Sequence, residues 1–445
     1  MTPRTVFAAA LSAALLTVWG NTAAAISLIR DAEIEATLRF LSAPVFEAAG
    51  LGADEVDIII LSDPRPNAFA FGGRRMAVTT GLIQDMDGPT ELQGVVAHET
   101  GHLVGGHLAR RAIAERNLRG PAAIAMLLSI AAAAAAGGGG GSALAAGLGA
   151  QSAVQRAFLS YSRAEESAAD QAAITYLETA RLSPAGMIKV LERFRGQEIF
   201  SAATRDPYAS THPISAARLS LVQRRTGESP YLGAASSPEA VYRFNRMRAK
   251  LDGFINHPTR TLRDAPKADD EFDTLRRAVA LHRLPDPAKA LDAADRLIAM
   301  KPNDPYYHEL KGQFLLEIGR GPEAVAPYRE AARLAPDEAL IRAQLGRALL
   351  TVGTAATDAE AVRALESGVA ASDGGDPSVL RDLAFAYARA GDEGRAALAT
   401  AERLALIGAV HDARIQAARA RALLPNGSPE WLRADDIVAS LESFD

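Results

Sequence analysis

The sequence predicts a mainly α-helical chain of the α+β class, in which a domain with a small β-sheet is followed by an α-solenoid. The β-branched run Val56–Leu61 and the short segments after it indicate a few strands. The spacing from Pro302 to Pro336 equals the period of tetratricopeptide repeats. A length of 445 residues accommodates two or three domains of ordinary size.

The composition argues against several classes of protein. A net charge of −5 does not indicate a nucleic-acid-binding surface. Because the chain has no Cys, it forms no disulfide, no thiolate zinc site and no lipidated amino-terminal Cys.

The amino-terminal segment Met1–Ala25 has the pattern of a secretory signal peptide. Arg4 provides the positive charge, Val6–Val18 a short apolar core, and Ala23–Ala25 an A-x-A cleavage site. The alternative is an uncleaved membrane anchor, but the apolar run is short for a span of about 20 residues. We therefore expect an exported protein that is cleaved near Ala25.

A small sheet is expected after a helix over Ile26–Ala49. Asn67–Phe71 and Arg75–Thr79 flank Gly72-Gly73, and this arrangement predicts a hairpin. The edge strand of such a sheet can pair with an extended peptide. The alternative is a hairpin with a purely structural role.

One helix, predicted over Thr90–Arg111, carries an HExxH motif at residues 98–102. Residues four apart share one face of a helix, so His98 and His102 can hold one zinc ion per chain. Glu99 lies beside them and can act as the general base. A chance match on a surface helix is the alternative, and eight His in the whole chain make it improbable.

Two segments resemble a known family. NAFAFGGRRMAVTTGLI, which starts at Asn67, and ELQGVVAHETGHLVGGH, which starts at Glu91, resemble the HtpX-like metallopeptidases, relatives of the CAAX prenyl proteases among the gluzincins. The resemblance runs from about Asp54 to Arg218. It implies a zinc metalloendopeptidase with a gluzincin-type fold.

A third zinc ligand is expected on a helix that runs from Ser162 to about Thr179. The resemblance implies that Glu166 binds the zinc and that Asp170, four residues later, orients a ligand histidine. Glu165 is the alternative ligand. A solvated acidic face is the alternative for all of these acids.

A second histidine motif, STHPISAAR, precedes a further helix. By itself, His212-Pro213 indicates only the turn that starts a helix. The resemblance implies that His212 approaches the zinc as an additional ligand and gates activity. Arg218 is expected either to pair with Asp170 or to stabilise the oxyanion of the transition state. His107 follows the family pattern too, and we expect it to be a packed histidine rather than a ligand.

Residues 120–155 carry no charge and are mostly Ala and Gly, with five consecutive glycines at Gly137–Gly141. Three interpretations of residues 121–150 stay open: a mobile lid, a membrane-dipping hairpin with peripheral membrane contact, or a helix pair buried in the domain. The glycines would break a helix long enough to span a bilayer.

The carboxy-terminal part has the spacing of helical repeats. Gly312, Ala324, Tyr328 and Ala331 occupy the small and aromatic positions of one tetratricopeptide repeat. An ordinary helical bundle is the alternative. The predicted parts are a signal peptide at 1–25, a zinc metallopeptidase domain at 26–255, a linker at 256–270 and a tetratricopeptide-repeat domain at 271–445.

The order of these parts resembles the family of β-barrel assembly-enhancing proteases of Gram-negative bacteria. That resemblance implies a periplasmic zinc endopeptidase that acts on misfolded or stalled outer-membrane proteins, with repeats that recruit substrate or the assembly machinery. The two Cys residues with which that family ties its repeats to the peptidase domain are absent here. The alternative function is a chaperone-like binding scaffold in which the zinc is structural or auto-inhibited.

Overall fold

A computed structural model describes residues 27–71, 74–107, 163–195, 207–265, 269–284, 286–370 and 376–442. The predicted signal peptide at 1–25 and the Ala/Gly segment at 121–150 lie outside these residues. The contacts divide the chain into two compact units. One unit comprises residues up to Ile29 together with Leu41–Ser236, and the other comprises Arg30–Phe40 together with Ser237–Asp445.

The first unit combines a small sheet with helices. Its strands are β1 (Ser27–Ile29), β2 (Asp57–Ser62), β3 (Ala68–Phe71) and β4 (Arg75–Thr79). Helix α1 (Ala32–Ala48) crosses the division between the units. The helices that follow the sheet are α2 (Thr80–Asp85), α3 (Pro89–Val104), α4 (Arg163–Thr179), α5 (Ala185–Phe194), α6 (Pro207–Thr211) and α7 (Ala216–Gly227).

The strands of the sheet are arranged in the order β1-β2-β4-β3. The predicted hairpin is confirmed, since β3 pairs with β4 in the antiparallel sense. By contrast, β2 pairs with β4 in the parallel sense. The prediction of a helix from Ile26 is wrong at its start, because Ser27–Ile29 is a strand that pairs with β2. The helix begins only after Asp31, whose carboxylate accepts from the amide of Ile34 at 3.0 Å.

Helix α3 is shorter than the predicted Thr90–Arg111. It begins with Pro89, where the missing N–H costs no hydrogen bond, and it ends at Val104. Gly106 has a φ of +64°, a left-handed conformation that glycine tolerates and that ends the helix. Residues 108–111 lie outside the described part of the chain.

Helix α3 lies deep in the first unit, and it packs closely against α4. A Cβ added at Gly101 would lie 2.8 Å from the carbonyl oxygen of Ala169 in α4. The absence of a side chain at residue 101 therefore allows these two helix backbones to approach each other.

In the second unit, helices that are neighbours in the chain pack against each other and form an α-solenoid of tetratricopeptide repeats. They are α8 (Pro238–Ile255), α9 (Pro258–Asp264), α10 (Glu271–Arg283), α11 (Pro287–Met300), α12 (Pro305–Glu317), α13 (Gly321–Leu334), α14 (Ala339–Val352), α15 (Ala355–Ala370), α16 (Pro377–Arg389), α17 (Glu393–Leu406), α18 (Val410–Leu423) and α19 (Pro429–Glu442). Within the described ranges, no helix is both long and apolar enough to cross a membrane.

Packing between the two helices of a repeat explains the glycine and the tyrosine of the repeat pattern. A Cβ added at Gly312 in α12 would lie 2.7 Å from the ring of Tyr328 in α13, so the glycine makes room for the aromatic side chain. The predicted linker at 256–270 contains helix α9, and α8 before it belongs to the same compact unit as the repeats. The end of the peptidase domain at residue 255 and the end of the linker at residue 270 stay predictions.

Candidate metal centre

Four buried side chains bring one donor atom each to a common point. His98 and His102 lie on α3, Glu166 lies on α4, and His212 follows α6. Each of these residues exposes at most 2% of its surface. Their donor atoms all lie within 4.8 Å of one another. Glu165, the alternative ligand, is not one of the four.

The separations between the donor atoms fit a metal ion. His98 Nε2 lies 3.1 Å from His102 Nε2 and 3.3 Å from His212 Nδ1. Glu166 Oε1 lies 3.3 Å from His102 Nε2 and 3.2 Å from His212 Nδ1. Ligands bound at about 2.0–2.1 Å in a tetrahedral zinc site stand about 3.3 Å apart. Three imidazole nitrogens and a carboxylate oxygen are also ligand types that suit zinc.

The pKa values of the two motif histidines move in opposite directions. Burial alone would lower the pKa of His98, but hydrogen bonds to Asp170 and Glu166 outweigh it and raise the pKa to about 9. Burial lowers the pKa of His102 to about 3 in spite of Glu166. Burial would raise the pKa of Glu166, yet the surrounding histidines hold it well below its usual range. The carboxylate is therefore ionised and able to ligate.

Asp170 and Arg218 form a second layer around the ligands. His98 Nδ1 lies 2.9 Å from Asp170 Oδ1. Arg218 donates to both oxygens of Asp170, from Nε at 2.6 Å and from Nη2 at 2.9 Å. Its Nη1 lies 2.5 Å from Glu166 Oε2. Of the two roles expected for Arg218, the structure contains the pairing with Asp170.

Glu99 lies between the edge strand and His212. It is fully buried, and burial raises its pKa. Its Oε2 accepts from the backbone amide of Ala70 in β3 at 3.1 Å. Its Oε1 lies 3.4 Å from His212 Nε2. The side chain thus stands beside the four donors without being one of them.

The position of His212 is fixed by residues for which the sequence gives no motif. The amide of Tyr208 donates to the carbonyl of Pro66 at 3.2 Å, and the amide of His212 donates to the carbonyl of Tyr208 at 2.8 Å. The centroids of the Tyr208 and His212 rings lie 4.8 Å apart.

His107 was expected only to pack. It places its Nδ1 2.8 Å from Nδ1 of His102.

Three buried histidines and one glutamate around an HExxH helix fit the metal centre of a metallopeptidase. Residues 29–226 match peptidase family M48, and the chain is a metalloprotease.

Known proteases are similar to this chain over much of its length. The β-barrel assembly-enhancing protease of Yersinia pestis is 25% identical over 386 residues, which cover 86% of this chain and 78% of that protein. The protein of that name from Escherichia coli strain K12 is 24% identical, with coverage of 62% and 56%. Among solved structures, MamA from Desulfovibrio magneticus RS-1 is 21% identical with a TM-score of 0.29, covering 39% of this chain and 88% of that one.

Proposed function

We propose that this chain is an exported zinc endopeptidase that cleaves misfolded or stalled outer-membrane and periplasmic proteins. The observation that carries the proposal is the position of Glu99, buried between a four-donor cluster and the edge strand β3. The signal-like residues 1–25 support a periplasmic location. The names of the similar proteins from Yersinia pestis and Escherichia coli support a role in β-barrel assembly.

In this proposal His98, His102 and Glu166 hold one zinc ion. Bound there, zinc would supply the Lewis acidity that polarises a peptide carbonyl and an attacking water. Asp170 keeps the ring of His98 in the orientation that turns Nε2 toward the other donors. Arg218 in turn fixes Asp170 and Glu166, so it acts as a positioning residue.

The outer side of β3 is the proposed binding edge for the substrate backbone. Among the described residues, no strand pairs with that side. Thr79 donates its amide to the carbonyl of Asn67 at 2.9 Å, and the alternation of an antiparallel strand then turns the amide of Ala70 outward. A peptide along this edge would run beside Glu99. Glu99 then takes a proton from the attacking water and delivers it to the leaving nitrogen.

His212 is proposed to hold the enzyme in a closed resting state. Its Nδ1 stands among the donor atoms and its Nε2 faces Glu99, so it occupies the space that substrate and water need. His212→Ala should raise basal proteolysis or self-cleavage while zinc stays bound. The exposed His257, changed to Ala, serves as the matched control. A loss of activity in His212→Ala would instead assign His212 a role in the transition state.

The second candidate is a chaperone-like scaffold, and the same contact of His212 favours it. With His212 as a fourth ligand the metal would have no open position, and a closed set of four protein ligands is a property of structural zinc sites. A structural site needs no general base, so the two functions differ in their dependence on Glu99.

An assay with an unfolded outer-membrane β-barrel protein separates them. The peptidase should cut this substrate, stop when a chelator removes the metal, and resume when zinc is restored. Binding of the unfolded substrate without any cleavage, with full zinc occupancy, would favour the scaffold. The repeats at 271–445 are proposed to recruit substrate or assembly machinery to the peptidase domain at 26–255.

A further inference from the structure

Each histidine of the donor cluster directs its second ring nitrogen to a different partner. His98 Nδ1 faces the carboxylate of Asp170 at 2.9 Å, and His212 Nε2 faces Glu99 at 3.4 Å. His102 directs its second nitrogen to a third partner. Its Nδ1 lies 2.8 Å from Nδ1 of His107, a residue that the mechanism above does not use.

We propose that His107 is a positioning residue that fixes the tautomer and orientation of His102, and this proposal rests on the zinc site proposed above. A ligand nitrogen must be unprotonated, so His102 carries its proton on Nδ1 when Nε2 faces the other donors. That N–H then donates to Nδ1 of His107. His107 must therefore be neutral, with its own proton on Nε2.

The backbone after α3 brings His107 into place. Gly105 and Gly106 follow the helix, and the φ of +64° at Gly106 turns the chain back toward His102. A Cβ added at Gly105 would lie 2.7 Å from His107 Nε2 and 2.7 Å from the carbonyl oxygen of Gly101. The close packing of this turn therefore depends on glycine at residue 105.

The environment of His107 also fits this role. Only 3% of its surface is exposed, and its ring meets that of His102 edge-on, with the centroids 4.9 Å apart. A buried imidazole that accepts a hydrogen bond holds the neighbouring ring in one rotamer. Because the acceptor is neutral, His102 receives less added basicity than His98 receives from Asp170. The two motif histidines are thus supported unequally.

The test compares zinc affinities of the full chain by competition with a zinc-binding dye. His107→Leu keeps a buried side chain but removes the acceptor, and we expect zinc binding about 10- to 100-fold weaker. His107→Asn places a carbonyl oxygen near the position of Nδ1 and should restore most of the affinity. Thermal unfolding curves of the metal-free proteins should show that both variants are folded before heating. Equal zinc affinity in His107→Leu and the wild type, or equal weakness in the Leu and Asn variants, would overturn the proposal.

Two further measurements separate a failure of the role proposed for His107 from a failure of the zinc site itself. His98→Ala should abolish tight zinc binding, and its failure to do so would refute the site rather than the role of His107. Nitrogen-15 NMR of histidine-labelled, zinc-loaded wild type should show His107 neutral and protonated on Nε2. A proton on Nδ1 of His107 would contradict the proposed hydrogen bond without any substitution.

Discussion

The contact at Gly101 gives a prediction that can be worked out from distances. In Gly101→Ala, the new Cβ would lie 2.9 Å from Cα and 2.8 Å from the carbonyl oxygen of Ala169. Ordinary carbon contacts are about 3.5–4.0 Å, so α3 and α4 must separate by about 0.6 Å or more. These are backbone atoms, which cannot rotate away. Overpacking costs about 1–3 kcal/mol, and the better helix propensity of Ala returns about 1 kcal/mol.

The separation should harm the metal site more than the fold. His98 and His102 lie on α3, whereas Glu166 lies on α4, so the donors move apart in Gly101→Ala. We expect a net loss of about 0–2 kcal/mol in the free energy of unfolding and a zinc affinity at least about tenfold weaker. Urea unfolding of the metal-free protein and dye competition for zinc measure the two effects.

The matched control is Gly227→Ala at the end of α7, where an added Cβ would meet no atom within 4 Å. It should leave zinc affinity unchanged. Wild-type stability together with wild-type zinc affinity in Gly101→Ala would refute the reasoning.

Two further predictions concern the second unit. Gly312→Ala should lower the free energy of unfolding by up to about 2 kcal/mol in urea melts, because the new Cβ meets the ring of Tyr328 and this overpacking offsets the gain of about 1 kcal/mol in helix propensity; a gain in stability of about 1 kcal/mol would contradict this packing. Lys250→Met should cost about 3–5 kcal/mol at pH 8, since it leaves buried carboxylates unpaired, whereas the exposed Lys289→Met should cost little. Burial raises the pKa of Glu309 from 4.5 to about 7, so its stabilising contribution is present below pH 4.5 and is lost as the pH rises through about 7. The cost of Lys250→Met should therefore be smaller at pH 5 than at pH 8, and an equal cost at both would contradict the assignment.

The parts of the fold that depend on local pattern could be predicted from the sequence. The HExxH helix and the hairpin of β3 and β4 follow from the short periods of a helix and a strand, and the repeat register follows from the recurrence of Pro302 at Pro336. The helix that carries Glu166 is described over Arg163–Thr179, within its predicted span. Each of these features depends on residues that lie close together in the sequence or repeat at a fixed spacing, so it can be recognised from the sequence.

Features that depend on distant contacts could not be predicted. Ser27–Ile29 is a strand because it pairs with β2, which follows only after the whole of α1, and its own sequence gives no such signal. The second unit includes Arg30–Phe40 because Ala32 packs in a cluster with Ala331 and Ile341, from the far part of the chain. A domain boundary placed at one position in the sequence does not take such a contact between distant segments into account.

The donor residues of the site could be predicted from the sequence. The groups that hold the residues of the site in place could not. His98, His102 and Glu166 lie within motifs, whereas the backbone amide of Ala70 that holds Glu99 has no side-chain signature. The role of His107 depends on the turn at Gly105 and Gly106. The pair of glycines before a histidine is the available signal, but the predicted helix over Thr90–Arg111 runs through it.

The most direct test of the account is cleavage of an unfolded outer-membrane protein by the Glu99→Gln variant, with zinc content measured on the same sample. Glutamine preserves the shape of the side chain but cannot accept the proton from the attacking water. Glu99→Gln should show full zinc occupancy, wild-type thermal stability and a cleavage rate lower by about 10²–10⁴-fold. Cleavage by Glu99→Gln at the wild-type rate would contradict it.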